Sequence, residues 1–338
     1  MPRIRLSAAN KALVTAGTIA AAVPLVAWAG FGALSHVVYH RSNFSTASEM
    51  YFRLTGNRKR LADPITFDNF LLKRAEENEQ TIDVPEHMPF KVSVESLDID
   101  GMHTFLLNRR DRNDRAVIYL HGGEYLLQPS VYHWRFVDTI ARRTRAEIFF
   151  PQYPLAPKHA HEEAYERIIG LYRAVAEEYG ARNVTLMGDD VGATLAIGLA
   201  QQLEGLGLEQ PSHLILISPW ADITLENPRV DEYEAIDPLL AAYGMRKVGS
   251  LWAHGTDPHD PRLSPVNGNV RGLRNVMMFV GTRELLYPDA KLMFDRIYAT
   301  GTHAQLVEGR GLNHNYPLYP TPEASRAIER IVEAVTED

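Results

Sequence analysis

The sequence predicts a doubly wound α/β fold built around a mostly parallel β-sheet. Two continuous apolar runs, "AVIYL" and "HLILIS", are typical of strands that are buried on both faces. Helical patterns separate such runs, the clearest being "EEAYERIIGLYRAVAEEY", and this alternation indicates parallel strands joined by crossover helices. The further runs "EIFFP", "NVTLM", "VMMFVG" and "AQLVEG" continue the pattern. We therefore expect one large α/β domain over residues 91–338.

Residues 1–40 are predicted to direct the chain to a membrane. Three basic residues precede the stretch 12–40, which contains no Asp, Glu, Lys or Arg and exceeds the roughly 20 residues that a helix needs to cross a bilayer. Two interpretations remain: an uncleaved signal anchor, favoured because "FGALSHVVYH" stays apolar, or a signal peptide cleaved after Ala29. Both predict that the domain lies outside the cytoplasm. A buried N-terminal helix of a soluble protein is the third alternative.

The next two segments precede the main sheet pattern, and a third interrupts it. Residues 41–90 are polar and mixed in charge, as in "FDNFLLKRAEENEQ", and we expect them to form a helical linker or cap. The strand-like "KVSVESLDI" and "MHTFLLNR" flank Asp100-Gly101, which predicts a β-hairpin. Between about residues 221 and 272, Pro- and Asp-rich turns replace the regular pattern. This stretch predicts an insertion over the C-terminal edge of the sheet, where open α/β folds bind ligands.

The composition excludes several classes of function. The net charge of −7 and the pI near 6.0 give no basic field for nucleic acid. The chain has no cysteine, so it forms no disulfide, no Cys-ligated metal site and no thiol nucleophile. We expect a small-molecule substrate rather than a nucleic acid, and no cofactor.

A tight run of small residues marks the first candidate catalytic element. In "LMGDDVGATLA", Gly188 and Gly192 flank an apex at Asp190, between the strand "NVTLM" and a helical pattern. This strand–turn–helix context is typical of the nucleophile elbow G-x-S-x-G. Glycines at these two positions let the neighbouring backbone pack closely around a strained apex residue. The alternative is an ordinary helix-opening turn capped by Asp189 or Asp190.

Three further groups follow strands in an order that suits the same chemistry. His121-Gly122-Gly123 comes directly after "AVIYL", where backbone amides can hold a developing oxyanion; a turn that needs positive φ is the alternative. Glu284 follows "NVMMFVG", and His314 follows "AQLVEG", so both are expected at the C-terminal edge of the sheet. Alone, His314 would be interpreted as a surface-loop residue. Asp289 is the rival acid, although Pro288 beside it favours a helix start.

Several motifs together resemble the hormone-sensitive-lipase-like esterase/lipase family of the α/β-hydrolase fold. The likeness covers about residues 92–335. It rests on "YLHGGEYL", "PQYPLAPKHAHEEAYE", "LMGDDVGATLA", "LILISPWADIT", "DPRLSPV", "VGTRELLYPDA" and "EGRGLNHNYPL". The resemblance implies an α/β-hydrolase fold and hydrolysis of small or acyl esters without a cofactor. It also implies that the histidines and glutamates of "PKHAHEE" belong to a structural Pro-rich segment rather than to a metal site.

The resemblance also implies roles for individual residues. Asp190 stands where the family's elbow, usually G-D-S-A-G-G, has its serine nucleophile. Glu284 and His314 would be the acid and the base. The amides of Gly122, Gly123 and Val191 would form the oxyanion hole.

An aspartate at the elbow leaves three hypotheses open. Attack by Asp190 on a carboxylic ester would give a mixed anhydride, which disfavours efficient ester turnover. Displacement at saturated carbon would give an ordinary alkyl–enzyme ester, hydrolysed by water that the histidine activates, as in epoxide hydrolases and haloalkane dehalogenases; Tyr125 and Tyr233 are candidate donors to the leaving group. Alternatively, the carboxylate imitates the oxyanion and favours the imidazolium form of His314. The protein would then be an impaired pseudoenzyme that binds a ligand or partner.

Overall fold

The computed structural model describes residues 31–111 and 114–337. The segment 1–30, with most of the predicted anchor and its candidate cleavage site, lies outside the described residues. A short π-helical turn, Leu34–Val38, is the first element described. Within the described ranges, no helix is long and apolar enough to cross a membrane.

One eight-stranded sheet forms the centre of the domain, in the order β1-β2-β4-β3-β5-β6-β7-β8. β1 pairs antiparallel with β2 around Asp100-Gly101, and β2 pairs antiparallel with β4. All other neighbours are parallel, which confirms the predicted mostly parallel sheet. The strands are β1 (Val94–Ile99), β2 (Met102–Leu107), β3 (Ala116–Leu120), β4 (Glu147–Pro151), β5 (Val184–Asp189), β6 (His213–Ile217), β7 (Val276–Gly281) and β8 (Ala304–Gly309).

Helices cover both faces of this sheet. In chain order they are α1 (Asn43–Thr55), α2 (Asn57–Ala62), α3 (Pro64–Glu77), α4 (Val131–Thr144), α5 (His161–Tyr179), α6 (Val191–Gln202), α7 (Val230–Glu234), α8 (Ala242–Ala253), α9 (Tyr287–Ala299) and α10 (Pro322–Thr336). α4 and α10 share one apolar core, and α5, α6 and α9 share the other. Along β3, Ile118 faces one core and Tyr119 the other, because successive side chains of a strand point to opposite faces. This two-sided burial explains the continuous apolar runs.

The segments predicted as cap and insertion meet above the C-terminal edge of the sheet. Residues 41–90 contain α1, α2 and α3, and residues 221–272 contain α7 and α8. Asn57 donates to the carbonyl of Leu239 at 3.0 Å, and Arg58 donates to the carbonyl of Leu240 at 2.9 Å. A Cβ on Gly244 would lie 2.7 Å from the Leu61 carbonyl oxygen. α2 therefore packs closely on the insertion.

Candidate active site

The elbow between β5 and α6 is built by close backbone contacts. Asp190 has φ 51° and ψ −122°, a conformation that costs energy for a residue with a side chain. A Cβ on Gly188 would lie 2.4 Å from the carbonyl carbon of Gly192, and one on Gly192 would lie 2.0 Å from the Leu120 oxygen. Both glycines are thus required where the bend packs against itself and against the end of β3. The bend holds the Asp190 side chain at the C-terminal edge of the sheet.

The two oxygens of the Asp190 carboxylate have different surroundings. Oδ2 accepts hydrogen bonds from the amides of Gly123 at 3.0 Å and Glu124 at 2.9 Å. Oδ1 has no hydrogen-bond partner among the described residues, and it lies 3.8 Å from Nε2 of His314. Asp190 is 1% exposed. One oxygen is therefore held in a two-amide cradle, while the other keeps its lone pairs available.

This cradle lies one residue further along the chain than the sequence suggested. The amide of Gly122 donates to Oδ1 of Asp189 at 3.0 Å rather than to Asp190. Gly123 has φ 125°, Glu124 has φ 51°, and this unusual backbone turns both of their amides toward Asp190. Val191, the third predicted donor, is the first residue of α6 and is fully buried.

Asp189 connects the segments that surround Asp190. Its carboxylate accepts from Tyr119 Oη at 2.5 Å, the Gly122 amide at 3.0 Å and Asn315 Nδ2 at 2.7 Å. Nε2 of His133 lies 3.1 Å away. Burial raises the pKa of Asp189, but the charge and hydrogen bond of His133 and the bond from Tyr119 outweigh it and lower that pKa. Sequence reasoning considered this residue only as a helix cap, although two consecutive acidic residues in the elbow were a signal.

Glu284 and His314 meet beside Asp190. Nδ1 of His314 lies 3.4 Å from Oε2 of Glu284, and the same oxygen accepts from Ser218 Oγ at 2.8 Å. Ser218 also accepts the Asn315 amide at 3.0 Å, so it joins the acid to the histidine loop. Burial opposes the imidazolium, but contact with Glu284, followed by the charge of Asp190, raises the pKa of His314 to about 9. This shift favours the imidazolium form of His314 at neutral pH.

Glu124 is a buried carboxyl group that sequence reasoning missed. It is 7% exposed, and burial followed by the charge of Asp190 raises its pKa. Arg60 on α2 opposes this shift with its own charge, and its guanidinium lies 4.0 Å from the centroid of the Phe70 ring. The cap therefore provides a positive charge that partly offsets the upward shift in the pKa of Glu124.

Of the remaining candidate residues, Tyr125 lies close to Asp190, whereas Tyr233 and Asp289 have partners elsewhere. Tyr125 stacks on Trp252 with ring centroids 4.2 Å apart, and its hydroxyl has no hydrogen-bond partner in the described ranges. Tyr125 follows Glu124, whose amide donates to Asp190, so it lies near the elbow; burial raises its pKa. Tyr233 instead accepts from Arg229 at 3.1 Å. Asp289 accepts from Asn227 at 2.8 Å and lies in the first turn of α9.

The histidines of "PKHAHEE" make structural contacts. His159 lies 2.7 Å from Glu163 and 3.1 Å from Glu79, and His161 lies 3.1 Å from the carbonyl of Trp252. Over residues 31–111 and 114–337, no group of three or more His, Asp or Glu residues is arranged to hold a metal ion.

Comparison with known proteins identifies the class. The sequence profile of the α/β-hydrolase fold matches residues 117–318. An acetyl-hydrolase of Streptomyces hygroscopicus is 31% identical over 221 residues, which cover 64% of this chain and 74% of that protein. An esterase of Acinetobacter venetianus is 28% identical over 226 residues, covering 66% and 75%. The crystal structure of a putative esterase from Staphylococcus aureus is 33% identical with a TM-score of 0.78, covering 82% of this chain and 94% of that one.

The chain therefore belongs to the α/β-hydrolase family and to its esterase/lipase branch, as its motifs predicted. It is a hydrolase of the esterase type with Asp190 at the apex of its elbow.

Proposed function

We propose that Asp190 is the nucleophile of this esterase-type hydrolase. The observation that carries the proposal is the unequal environment of its two oxygens. Oδ2 accepts two backbone amides, whereas Oδ1 accepts no hydrogen bond from the described part of the chain and lies 3.8 Å from Nε2 of His314. A nucleophile needs a free lone pair next to an acid–base group, and Oδ1 meets both conditions.

The chemistry of a carboxylate restricts the substrate. The names of the relatives favour a small-molecule ester, but attack by Asp190 on a carboxylic ester would produce a high-energy mixed anhydride. Attack on a saturated carbon instead produces an ordinary alkyl ester of Asp190. In this proposal the substrate is a small epoxide or alkyl halide. The ester that is hydrolysed is the covalent intermediate formed on Asp190.

The protonation state of His314 favours the epoxide. Its pKa is raised to about 9, so it carries a proton at neutral pH. An epoxide oxygen needs a proton as it leaves, whereas a halide leaves as the anion. In the first step Oδ1 of Asp190 bonds to the epoxide carbon, the carbon–oxygen bond breaks, and the proton of His314 Nε2 moves to the leaving oxygen.

The second step uses the base that the first step creates. Neutral His314 takes a proton from water, and the hydroxide attacks Cγ of Asp190. Negative charge then develops on Oδ2, where the amides of Gly123 and Glu124 stabilise it. The alkyl oxygen leaves and receives the proton of the Asp190 carboxyl group. One epoxide and one water give one diol, and the carboxylate and the imidazolium are restored.

A single-turnover experiment in ¹⁸O-labelled water tests this proposal. With styrene oxide as the probe, we expect ¹⁸O in the Asp190 carboxylate, detected by mass spectrometry of its peptide. Asp190→Asn should neither turn over nor incorporate label at first turnover. Asp289→Asn, a buried carboxyl outside the site, should retain turnover and labelling. Turnover that leaves the Asp190 peptide unlabelled would exclude a covalent ester.

A second candidate function is a ligand-binding pseudoenzyme. The observation in its favour is that Oδ2 fills the cradle that the oxyanion of an ester substrate would require. Asp190→Ser empties the cradle and provides a hydroxyl beside His314. The expected result is hydrolysis of p-nitrophenyl acetate above that of the native protein. Native protein that is folded but shows no epoxide turnover, together with an esterase-active serine variant, would favour this second function.

We also propose that the N-terminal segment attaches the protein to a membrane, with the domain outside the cytoplasm, or secreted if cleavage follows Ala29. The support is the uncharged stretch 12–40 after three basic residues. In this proposal residues 41–90 form the cap segment and residues 91–338 the hydrolase domain. Protease added to intact cells should digest the domain; recovery of the intact chain from the cytoplasmic fraction would contradict attachment and export alike.

A further inference from the structure

Helix α1 (Asn43–Thr55) packs on the domain through its polar side. Ser45, Thr46 and Glu49 are buried, with Phe52 as the one large apolar residue among the buried positions of this helix. Ser45 Oγ donates to Glu323 at 2.8 Å. Glu49 pairs with Arg41 at 2.5 Å. Polar contacts thus fix the orientation of α1.

Arg41 and Arg283 surround Glu49. Arg41 also donates to the carbonyl of Gly311 at 2.7 Å, and a terminal nitrogen of Arg283 lies 3.5 Å from Glu49. The guanidinium groups of both arginines lie over the Tyr39 ring, 4.4 and 4.6 Å from its centroid. These contacts hold the polar side of α1 against the domain.

The opposite side of α1 is apolar and exposed. Phe44 is 68% exposed, Met50 53%, Tyr51 57% and Leu54 85%. Residues at spacings of three, four and seven share one face of a helix, so these four residues form a single surface, the α1 apolar face. In a helix on a soluble protein such a face normally points to the core. α1 therefore has the reverse of the ordinary pattern.

Exposed apolar side chains are concentrated around this face. Of the fourteen large hydrophobic residues exposed within the described ranges, seven lie between Leu34 and Leu54. They include Val37 and Val38, 70% and 61% exposed, which lie six and five residues before the start of α1. Phe44 also lines a groove of about 710 Å³ with Leu318, which extends the apolar surface. A concentration of exposed apolar side chains of this kind indicates an interaction site.

We propose that the α1 apolar face lies in the interfacial layer of a lipid bilayer, an inference that rests on the proposed membrane attachment. The uncharged stretch 12–40 ends two residues before Ser42, the N-cap of α1. A chain spans at most about 3.6 Å per residue. Tyr39 already packs under Arg41, so the part of the stretch available to a bilayer ends before it. A bilayer that holds that part lies next to α1, where a helix binds with its apolar face down.

The residues around the face suit this occupant. Tyr51 combines an apolar ring with a hydroxyl, a combination enriched at membrane interfaces. Lys59, four residues after the end of α1, is exposed and provides positive charge that attracts anionic lipids. The competing occupants are a second copy of the chain and the segment 12–30 folded back onto α1.

The absence of cysteine from the chain allows a direct test. Phe44→Cys and Leu54→Cys, made in the full chain, each give one thiol for an environment-sensitive nitrobenzoxadiazole dye. Tyr298→Cys, at a side chain 65% exposed on α9, is the matched control. Each protein is reconstituted in phosphatidylcholine–phosphatidylglycerol vesicles, separated by flotation, and measured with and without doxyl-labelled lipids.

We expect the doxyl lipids to quench the dye severalfold at positions 44 and 54 and to leave it unchanged at 298. If the protein floats with the vesicles but neither position is quenched, the membrane attachment stands and the docking proposal fails. A blue-shifted, unquenched emission would also overturn it, because protein would then cover the face; self-quenching between labelled copies would identify a second copy. If the protein does not float, the attachment proposal itself fails.

Discussion

The elbow and helix α1 both bury charged groups, but they satisfy those groups differently. At Glu49 one carboxylate is surrounded by Arg41, Arg53 and Arg283, and both of its oxygens are paired. At Asp190 one oxygen accepts two amides and the other has no hydrogen-bond partner in the described part of the chain. The comparison shows that a fully paired carboxylate such as Glu49 holds a helix in place. A carboxylate with one unpaired oxygen, such as Asp190, keeps a lone pair that can act as a nucleophile.

The largest effect should follow from removing the charge of Asp190. Asp190→Asn keeps an oxygen for the amides of Gly123 and Glu124 but removes the nucleophile. We expect epoxide turnover to fall by at least about 10³-fold, measured as diol formation, with the free energy of unfolding in urea unchanged or increased because a buried charge is lost. If Asp190→Asn turned over epoxide at a rate close to that of the native protein, the unpaired oxygen of Asp190 would not be the nucleophile.

The second largest effect should be structural and lie one residue away. Asp189→Ala leaves the donors of Tyr119, Gly122 and Asn315 without their shared acceptor. We expect it to cost about 3–5 kcal/mol in the free energy of unfolding, as when one partner of a buried charged pair is removed. Asp289→Ala, which loses one bond from Asn227, is the comparison and should cost about 1–3 kcal/mol. Equal losses would show that Asp189 does not connect these segments.

The third largest effect should follow from removing the charge of Glu49 on α1. Glu49→Gln leaves Arg41 buried without its charged partner and should destabilise the protein by about 1.5–3 kcal/mol, the range for a hydrogen bond to a charged group. The kcat of the folded fraction should be retained. Burial raises the pKa of Glu49, but the charge of Arg41 and the contacts of Arg53 outweigh it and lower that pKa. Its contribution to stability is therefore present above the unfolded pKa, about 4.3, and is lost as the pH falls below that value.

Urea unfolding between pH 3 and pH 7 measures this contribution. The native protein should lose more stability than Glu49→Gln as the pH falls. Parallel pH profiles would mean that ionised Glu49 does not stabilise the fold. A loss of kcat in folded Glu49→Gln would mean that Glu49 affects catalysis as well as the position of α1.

The smallest effect is the pH dependence of the first chemical step. The pKa of His314 is raised to about 9 from an unfolded value of about 6.5. Its stabilisation of the fold is complete below the unfolded value and is lost as the pH rises through about 9. Alkylation of Asp190 should be constant near neutrality and fall about tenfold per pH unit above pH 9, since it needs the imidazolium. Rapid-quench mass spectrometry measures it; an alkylation rate that rises through pH 9 would contradict the role of His314 as acid.

Much of the fold was predictable because its causes are local. The apolar runs indicated β3 to β7, since strands buried on both faces need apolar side chains at nearly every position. The run "AQLVEG" indicated the edge strand β8, which is only half-buried. Asp100-Gly101 indicated the hairpin because both residues adopt positive φ. Gly188 and Gly192 indicated the elbow because a Cβ at either position would collide with backbone. These signals are complete within a few residues of the chain.

The sequence by itself therefore determined the element types, the α/β class and the position of Asp190 in its bend. Only the tertiary structure decided which amides hold that carboxylate, because Gly123 and Asp190 are 67 residues apart. It also decided that Asp189 connects the loops, and that α1 turns its apolar side outward. The last result depends on Glu49 meeting Arg283, 234 residues away; no periodicity within α1 specifies which of its faces a distant charge will attract.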